Sequence, residues 1–422
     1  MGFRFVLILI SFGKDKRFSK DCMWHLIKNI FLSFLHFHKC YGLRKKIVCI
    51  CLSIFIAFNG FAQRMGQDTI RPTPAPQVKG PENYFYQGYQ YGSQAKFNPL
   101  SVLLNRGFEM LRITTRQEFY DPAIPGYKVN NIIENLSHPV KYVNEYGSND
   151  FFKEQVIPFG NIDKPYWYPN YTLHLFGGGI TYTGLKEWFE WNKVPMPKVL
   201  SALTILGSAL INESIEEKLG GPGFRLNVDA VADFWIFDMG GIILFQSKRV
   251  NSFFSKTLHM RDWSKQPAVV FPGFNLANCG QFISLKWQLP KLKNWSFFSL
   301  MGLGGMGGLS YQFTNNTSLS IGFGQGPKKK ENNLVGLPID VSLVPMGGIY
   351  FDKNNSLMAS LEISNSRNDI YHNYIAELNL YPGFIKIKKL DPSFWAALAK
   401  DGNVLFGIGT RYTLGLGVGY RY

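Results

Sequence analysis

The chain has 422 residues, of which 18% are charged and 16% aromatic, with 42 glycines and a mean hydropathy of -0.06. Few charges beside many aromatics and glycines disfavour a typical cytosolic enzyme and favour a β-rich membrane protein, whose lipid-facing and lumen-facing residues average to neutral hydropathy. The net charge of +16 does not indicate nucleic-acid binding: half of it falls within Met1–Ala62, where ten Lys and Arg face two acidic residues.

Beyond Ala62 the only basic run is Lys328–Lys330, which reads as a solvated loop or a contact to anionic lipid headgroups. Cys22, Cys40, Cys49 and Cys51 all precede Ala62, so Cys279 alone remains, and one thiol builds neither a disulfide framework nor a cysteine metal site. No cofactor is implied.

In chain order, the first interpretable element is residues 44–62. Arg44-Lys45-Lys46, the apolar run IVCICLSIFIAF and the closing NGFA have the three-part form of a secretory signal peptide, with cleavage expected after Ala62. The run is too short for a transmembrane helix, which needs about 18–20 apolar residues. No cysteine follows it at a lipoprotein position. Residues 1–42 lack amphipathic order, and a misplaced start codon, with translation beginning near Leu43, accounts for them. Residues 63–94 include RPTPAPQVKGPENY, a Pro-rich extended linker on the periplasmic side.

Helical signals occupy residues 95–260, a periplasmic or plug segment. Asn98 followed by Pro99 is an N-cap with proline in the first turn, opening LSVLLNRGFEML. Residues 129–143 are weakly helical and interrupted by Pro139. The longest candidate is Lys198–Lys218, stopped by Gly220-Gly221-Pro222-Gly223. Its apolar core of about thirteen residues is too short to span a bilayer. Glu213, Glu216 and Glu217 crowd its last turns, against the helix dipole, and Glu213 and Glu217 share one face. Arg225, Asp229, Asp233 and Asp238 follow in a second apolar segment ending at Gly240-Gly241.

His174 with Gly177, Glu213 with Glu217, Asp229 or Asp233, and Gly240-Gly241 together resemble an uncharacterised family of Gram-negative, Bacteroidetes-type outer-membrane proteins. Those proteins carry a His/Glu/Asp helical segment before or within a small barrel. The His, Glu, Arg, Asp order is also similar to small helical membrane proteins of the VanZ type. The resemblance spans Tyr171 to Arg249, roughly a fifth of the chain, and departs where Phe245-Gln246 replaces an expected Gly-Glu. It implies an architecture, with no activity attached.

A histidine with two carboxylates and an arginine can form a metal site or a general acid/base centre, and ionisable groups in apolar surroundings call for explanation. The candidate site residues are His174, Glu213, Glu217 and Asp233. The alternative is a buried ion-pair network of Glu213, Glu217, Arg225 and Asp233 that fixes the helices together. Tyr166, Trp167, Tyr168 and Tyr171 read as an interfacial aromatic belt, or else as a sugar-stacking platform. Gly302–Gly308 lacks the Lys-Ser/Thr of a phosphate loop and reads as a bend in a strand. His372 and Glu377 lack the nucleophile spacing of an acyl hydrolase.

Period-two alternation fills residues 261–422: Ile283/Leu285/Trp287/Leu289, Leu319/Ile321/Phe323, Leu337/Ile339/Val341/Leu343, Leu357/Ala359/Leu361/Ile363, Ala376/Leu378/Leu380 and Val404/Phe406/Ile408. Turn residues at 314–316, 326–327, 352–355 and 401–403 separate them. The last ten residues alternate strictly and end on Tyr422, resembling the C-terminal signal read by the barrel-assembly machinery. The expected fold is mainly β: a small antiparallel transmembrane barrel of eight to ten strands in outer-membrane lipid, with the helical segment N-terminal to it. A barrel of that size is filled by side chains, so a general porin is disfavoured. A membrane-embedded hydrolase acting on lipid or envelope glycan through His174 and Glu213/Glu217 is the alternative function.

Overall fold

The computed structural model describes residues 83–112, 123–161, 166–216, 228–329, 341–364, 374–387, 390–399, 402–411 and 414–420. The signal segment, the linker before residue 83, Glu217, the glycines at 220–223, Arg225, Leu337, Ile339, His372 and Tyr422 lie outside the described residues. Gln77–Tyr422 forms one compact unit.

Helices precede strands. The first are α1 (Gly92–Lys96), α2 (Pro99–Gly107), α3 (Ala123–Ser137) and α4 (Pro139–Tyr146). Asn98 caps α2 as expected, its side chain accepting the Ser101 N–H at 3.0 Å. Among the described elements that follow are α5 (Gly179–Trp191), α6 (Pro197–Glu216), α7 (Met239–Leu244), α8 (Lys248–Ser252) and four π-helices, two of which bear on the site: the first of these at Asn170–Gly178 and the second at Ala232–Asp238. Gly240-Gly241 does not end its segment, since α7 runs through it to Leu244.

α6 is turned inside out. Its buried face carries Ser201, Ser208, Asn212 and Glu213 beside Ile205, Ala209 and Ile215, while Val199, Leu203 and Leu210 are exposed. It spans 20 residues at a mean hydropathy of 1.2, so it is long and apolar enough to cross a membrane, contrary to the sequence estimate of its core.

The strands are β1 (Arg261–Asp262), β2 (Ala268–Phe271), β3 (Asn275–Ala277), β4 (Ile283–Gln288), β5 (Trp295–Met301), β6 (Gly305–Gln312), β7 (Thr317–Lys329), β8 (Val341–Lys353), β9 (Ser356–Ser364), β10 (Ala376–Leu380), β11 (Ser393–Leu398), β12 (Val404–Gly409) and β13 (Gly415–Tyr420). They form one 13-stranded sheet in the order β1-β4-β5-β6-β7-β8-β9-β10-β11-β12-β13-β2-β3.

Three expectations change. Among the described residues there are thirteen strands rather than eight to ten, because the short pieces β1 to β3 carry no alternation long enough to read. Pairing is not wholly antiparallel, since β13 runs parallel to β2 with Leu416 opposite Val269. The end strands β1 and β3 are not paired with each other, so the sheet is not closed into a barrel.

Two local readings also change. Gly326-Pro327 is not a turn but lies inside β7, opposite Val344 and Leu343, and Lys328 and Lys329 finish that strand instead of forming a loop. The thirteen-residue ladder with β8 outweighs the one N–H that Pro327 lacks. The Asn354-Asn355 turn does hold. Both residues have positive φ (52° and 60°), as a two-residue hairpin with the twist of its strands requires.

The faces of the sheet are inverted relative to a soluble protein. In β12 and β13, Phe406, Ile408, Leu416 (58%), Val418 (57%) and Tyr420 (62%) are exposed. On the other face, Lys265 lies 2.8 Å from Glu362 Oε2 and 2.7 Å from Glu377 Oε1, and Lys286 pairs with Asp352, all buried. Asn379 adds to this interior network, donating to Glu377 Oε1 at 2.8 Å and accepting from Gln266 and Asn278.

The helices are tied to the sheet by polar and apolar contacts. Asn105 of α2 donates to Lys265 O and accepts the Gly280 N–H, each at 3.0 Å. Gln281 donates to Thr181 of α5 at 3.0 Å, and Ile283 packs among Phe85, Ile180, Phe245 and Met260. Glu187 accepts the backbone N–H groups of Tyr84, Phe85 and Tyr86 at 2.6–2.9 Å, anchoring the segment that leads into α1.

Candidate functional site: a buried His/Asp/Glu/Arg cluster

Three of the four predicted site residues come together. His174 on the first π-helix, Glu213 on α6 and Asp233 on the second π-helix are all buried, and one candidate ligand atom from each lies within 4.8 Å of the others. Glu217 and Arg225 fall outside the described residues, so the network expected among Glu213, Glu217, Arg225 and Asp233 is described only in part.

The backbone explains how they meet. Bonding from residue i to i+5 widens a π-helix, so residues five apart fall near one face, whereas an α-helix separates them by about 140°. Asp233 and Asp238 are five apart on such a turn. Both reach His174: Asp233 Oδ2 is 3.3 Å from Nε2, and Asp238 Oδ2 is 3.2 Å from Nδ1. The two helical segments cross at glycines. A Cβ on Gly178 would lie 2.9 Å from Asp238 Oδ1, and one on Gly241 would lie 2.5 Å from Leu175 O. Only bare backbone permits this approach.

Arg106, at the end of α2, completes the cluster. Its Nη2 pairs with Asp238 Oδ1, and its Nη1 donates to Leu173 O at 3.2 Å. Burial by itself would raise the Asp238 carboxyl, but Arg106 and His174 outweigh it and hold the group below its ordinary value. Asp233 goes the other way. Burial first, then the carboxylates of Asp229, Glu213, Glu216 and Asp238, push it well above the usual aspartate range. Asp233 Oδ1 is buried without a hydrogen bond among the described residues.

These facts limit the chemistry. His174 Nδ1 lies 3.2 Å from Asp238 Oδ2 and 3.3 Å from Arg106 Nη2, while Nε2 lies on the Asp233 side of the ring. His174 and the two carboxylates are a donor set that could hold a metal ion.

The sequence reading missed two members. Arg106 sits within an apolar helix, a setting that could have flagged it, but Asp238 was hidden because a spacing of five is meaningless on an α-helix. Other candidates disperse. Glu377 is bound by Lys265 and Asn379, and Gly302–Gly308 forms the β5–β6 turn and the first half of β6. Tyr171 packs on Phe237, and Trp167 on Phe159 and Tyr168, while Tyr166 is exposed and none of the four is fully buried.

Elsewhere a polar cavity of about 450 Å³ opens between residues 83–89 and strands β4 to β7. Lys256, His259, Arg261, Lys286 and Lys293 line it, and no Asp or Glu does. A smaller cavity of about 60 Å³ lies beside Glu109, Glu362 and Glu377. Neither is lined by His174, Glu213 or Asp233. No protein-family model, no curated protein and no solved structure matches this chain.

Proposed function

We propose that this chain is an outer-membrane β-barrel protein of the cell envelope, with strands that span the bilayer and helical residues 92–257 outside the spanning segments. The observation that carries the reading is the inverted sheet: Leu416, Val418 and Tyr420 point outward and the Lys265–Glu362–Glu377 group inward. In water that arrangement exposes apolar surface and buries charge, both unfavourable; in lipid around a polar interior both are favoured.

The chain path supports a ring. β1 and β2 are separated only by residues 263–267, across which Trp263 N–H donates to Phe282 O (2.8 Å) and Lys265 N–H to Gly280 O (3.0 Å). These bonds extend the β1–β4 pairing toward the β2–β3 pairing, so the two ends of the strand order are halves of one hairpin. Lipid rewards such a connection, because an unpaired edge in hydrocarbon is costly. The signal-like segment at residues 44–62 and the alternating final strand fit export and delivery to the barrel-assembly machinery.

Within this reading the protein binds a ligand, and the basic cavity favours a small anionic one. Fractionation with heated and unheated gel migration tests the membrane assignment. Recovery in the outer membrane with a heat-dependent shift is expected; recovery as a soluble periplasmic species would remove the barrel and lipid readings together. The second reading, a hydrolase acting on lipid or glycan, draws on the His174–Asp233–Glu213 cluster. Glu213→Ala abolishing activity on purified lipids with the fold intact would support it, and a Glu213→Leu protein with unchanged folding and phenotype would sink it.

A further inference from the structure

We propose that His174 Nε2, Glu213 and Asp233 bind one first-row divalent metal ion, and that this ion ties together the two π-helices and α6. The inference goes beyond the envelope reading and does not depend on where the protein resides.

Three observations converge. The three ligand atoms lie within 4.8 Å of one another, a spacing that a single ion can bridge with small side-chain adjustment. Asp233 Oδ1 is buried and lacks a hydrogen bond, so one carboxylate atom awaits a partner at this point. Asp238 Oδ2 lies 3.2 Å from His174 Nδ1 and Asp238 is itself held by Arg106, the outer support that metal-bound imidazoles typically have, while Nε2 lies 3.3 Å from Asp233.

The donor set selects the metal class. One imidazole with two carboxylates suits Zn2+, Mn2+ or Fe2+; an all-oxygen cage would suit Ca2+, and a thiolate set would suit Cu(I). Three protein ligands leave a coordination position for water, but neither cavity described above reaches it. The ion's primary task is therefore to hold the fold, by linking elements whose mutual carboxylate repulsion it removes.

The test uses the full chain, purified in detergent, stripped with chelator and dialysed against Zn2+ or Mn2+ in separate samples. Bound metal is measured by elemental analysis, affinity by titration and stability by thermal melting. One equivalent of Zn2+ or Mn2+ and a raised melting temperature are expected. Asp233→Asn and Glu213→Gln keep shape and packing, and each should weaken binding by at least ~100-fold; Asp238→Asn should weaken it by ~10–100-fold through the imidazole. Glu190→Gln, on the part-exposed face of α5 where Glu190 pairs with Lys186, should bind as wild type. Failure of the folded wild type to take up either metal overturns the proposal. So does wild-type affinity in both Asp233→Asn and Glu213→Gln, which would place the metal elsewhere on the chain.

Discussion

His174 and Asp238 are joined at 3.2 Å through Nδ1 and Oδ2, although they lie on different π-helices, and Arg106 from α2 grips the same carboxylate. Three elements therefore depend on one buried anion. Replacing it by Asp238→Asn strands the Arg106 charge, and a loss of about 3–5 kcal/mol of stability is expected. The double variant Arg106→Met/Asp238→Leu removes both charges and should recover most of that loss. Urea unfolding in detergent checks both.

The interior ion group of the sheet should behave alike. Lys265→Met leaves the Glu362 and Glu377 carboxylates facing each other without their shared cation. Unfolding should become easier by about 3–5 kcal/mol, and adding Glu362→Gln and Glu377→Gln should restore most of it. A single lysine variant as stable as wild type would show that solvent reaches these carboxylates.

Lys96 gives the pH dependence. Burial lowers its ammonium from 10.5 to about 8. The folded chain then holds fewer protons than the unfolded chain between about pH 8 and 10.5. The penalty is complete below pH 8 and is relieved as pH rises through that window, by about 2–3 kcal/mol. Wild type should gain stability relative to Lys96→Met as pH is raised from 7.5 to 10. A parallel pair of curves would mean that Lys96 keeps its ordinary value.

The outward face has its own test. Leu416→Arg in lipid vesicles should cost about 2 kcal/mol, because a cation must enter hydrocarbon. At a water-facing position the same change would fall within about 0.5 kcal/mol.

At the helical crossing, Gly241→Ala adds a methyl 2.5 Å from Leu175 O. The segments must separate, at about 1–3 kcal/mol, and metal uptake should fall with stability. Gly207→Ala on α6, with no atom within 4 Å, is the matched control and should be neutral or stabilising.

How far the sequence was legible depended on period. The strands β4, β7, β9, β10, β12 and β13 announce themselves by alternation, and α2 by Asn98-Pro99, because each is a periodic run or a local cap. β1, β2 and β3 do not, since two to four residues carry no period, and their pairing is decided by distant partners. Gly326-Pro327 misled because local turn chemistry was overridden by a long ladder. At the site, His174, Glu213 and Asp233 were visible as ionisable residues in apolar runs. Asp238 was seen in the same run but not as a site member, since its alignment with Asp233 exists only on a π-helix, and Arg106 joins them through tertiary packing alone.

The parallel pairing of β13 with β2 has a consequence for the order of events in biogenesis. Leu416 must find Val269, yet every other strand of the sheet is synthesised before β13 emerges. Until then one side of β2 is an unpaired edge, open to capture by another copy of the chain. The longest wait in assembly therefore falls on the segment with the greatest capacity for self-association. A chaperone or insertion factor that held residues 268–271 during that interval would do more for yield than any stabilisation of the finished protein.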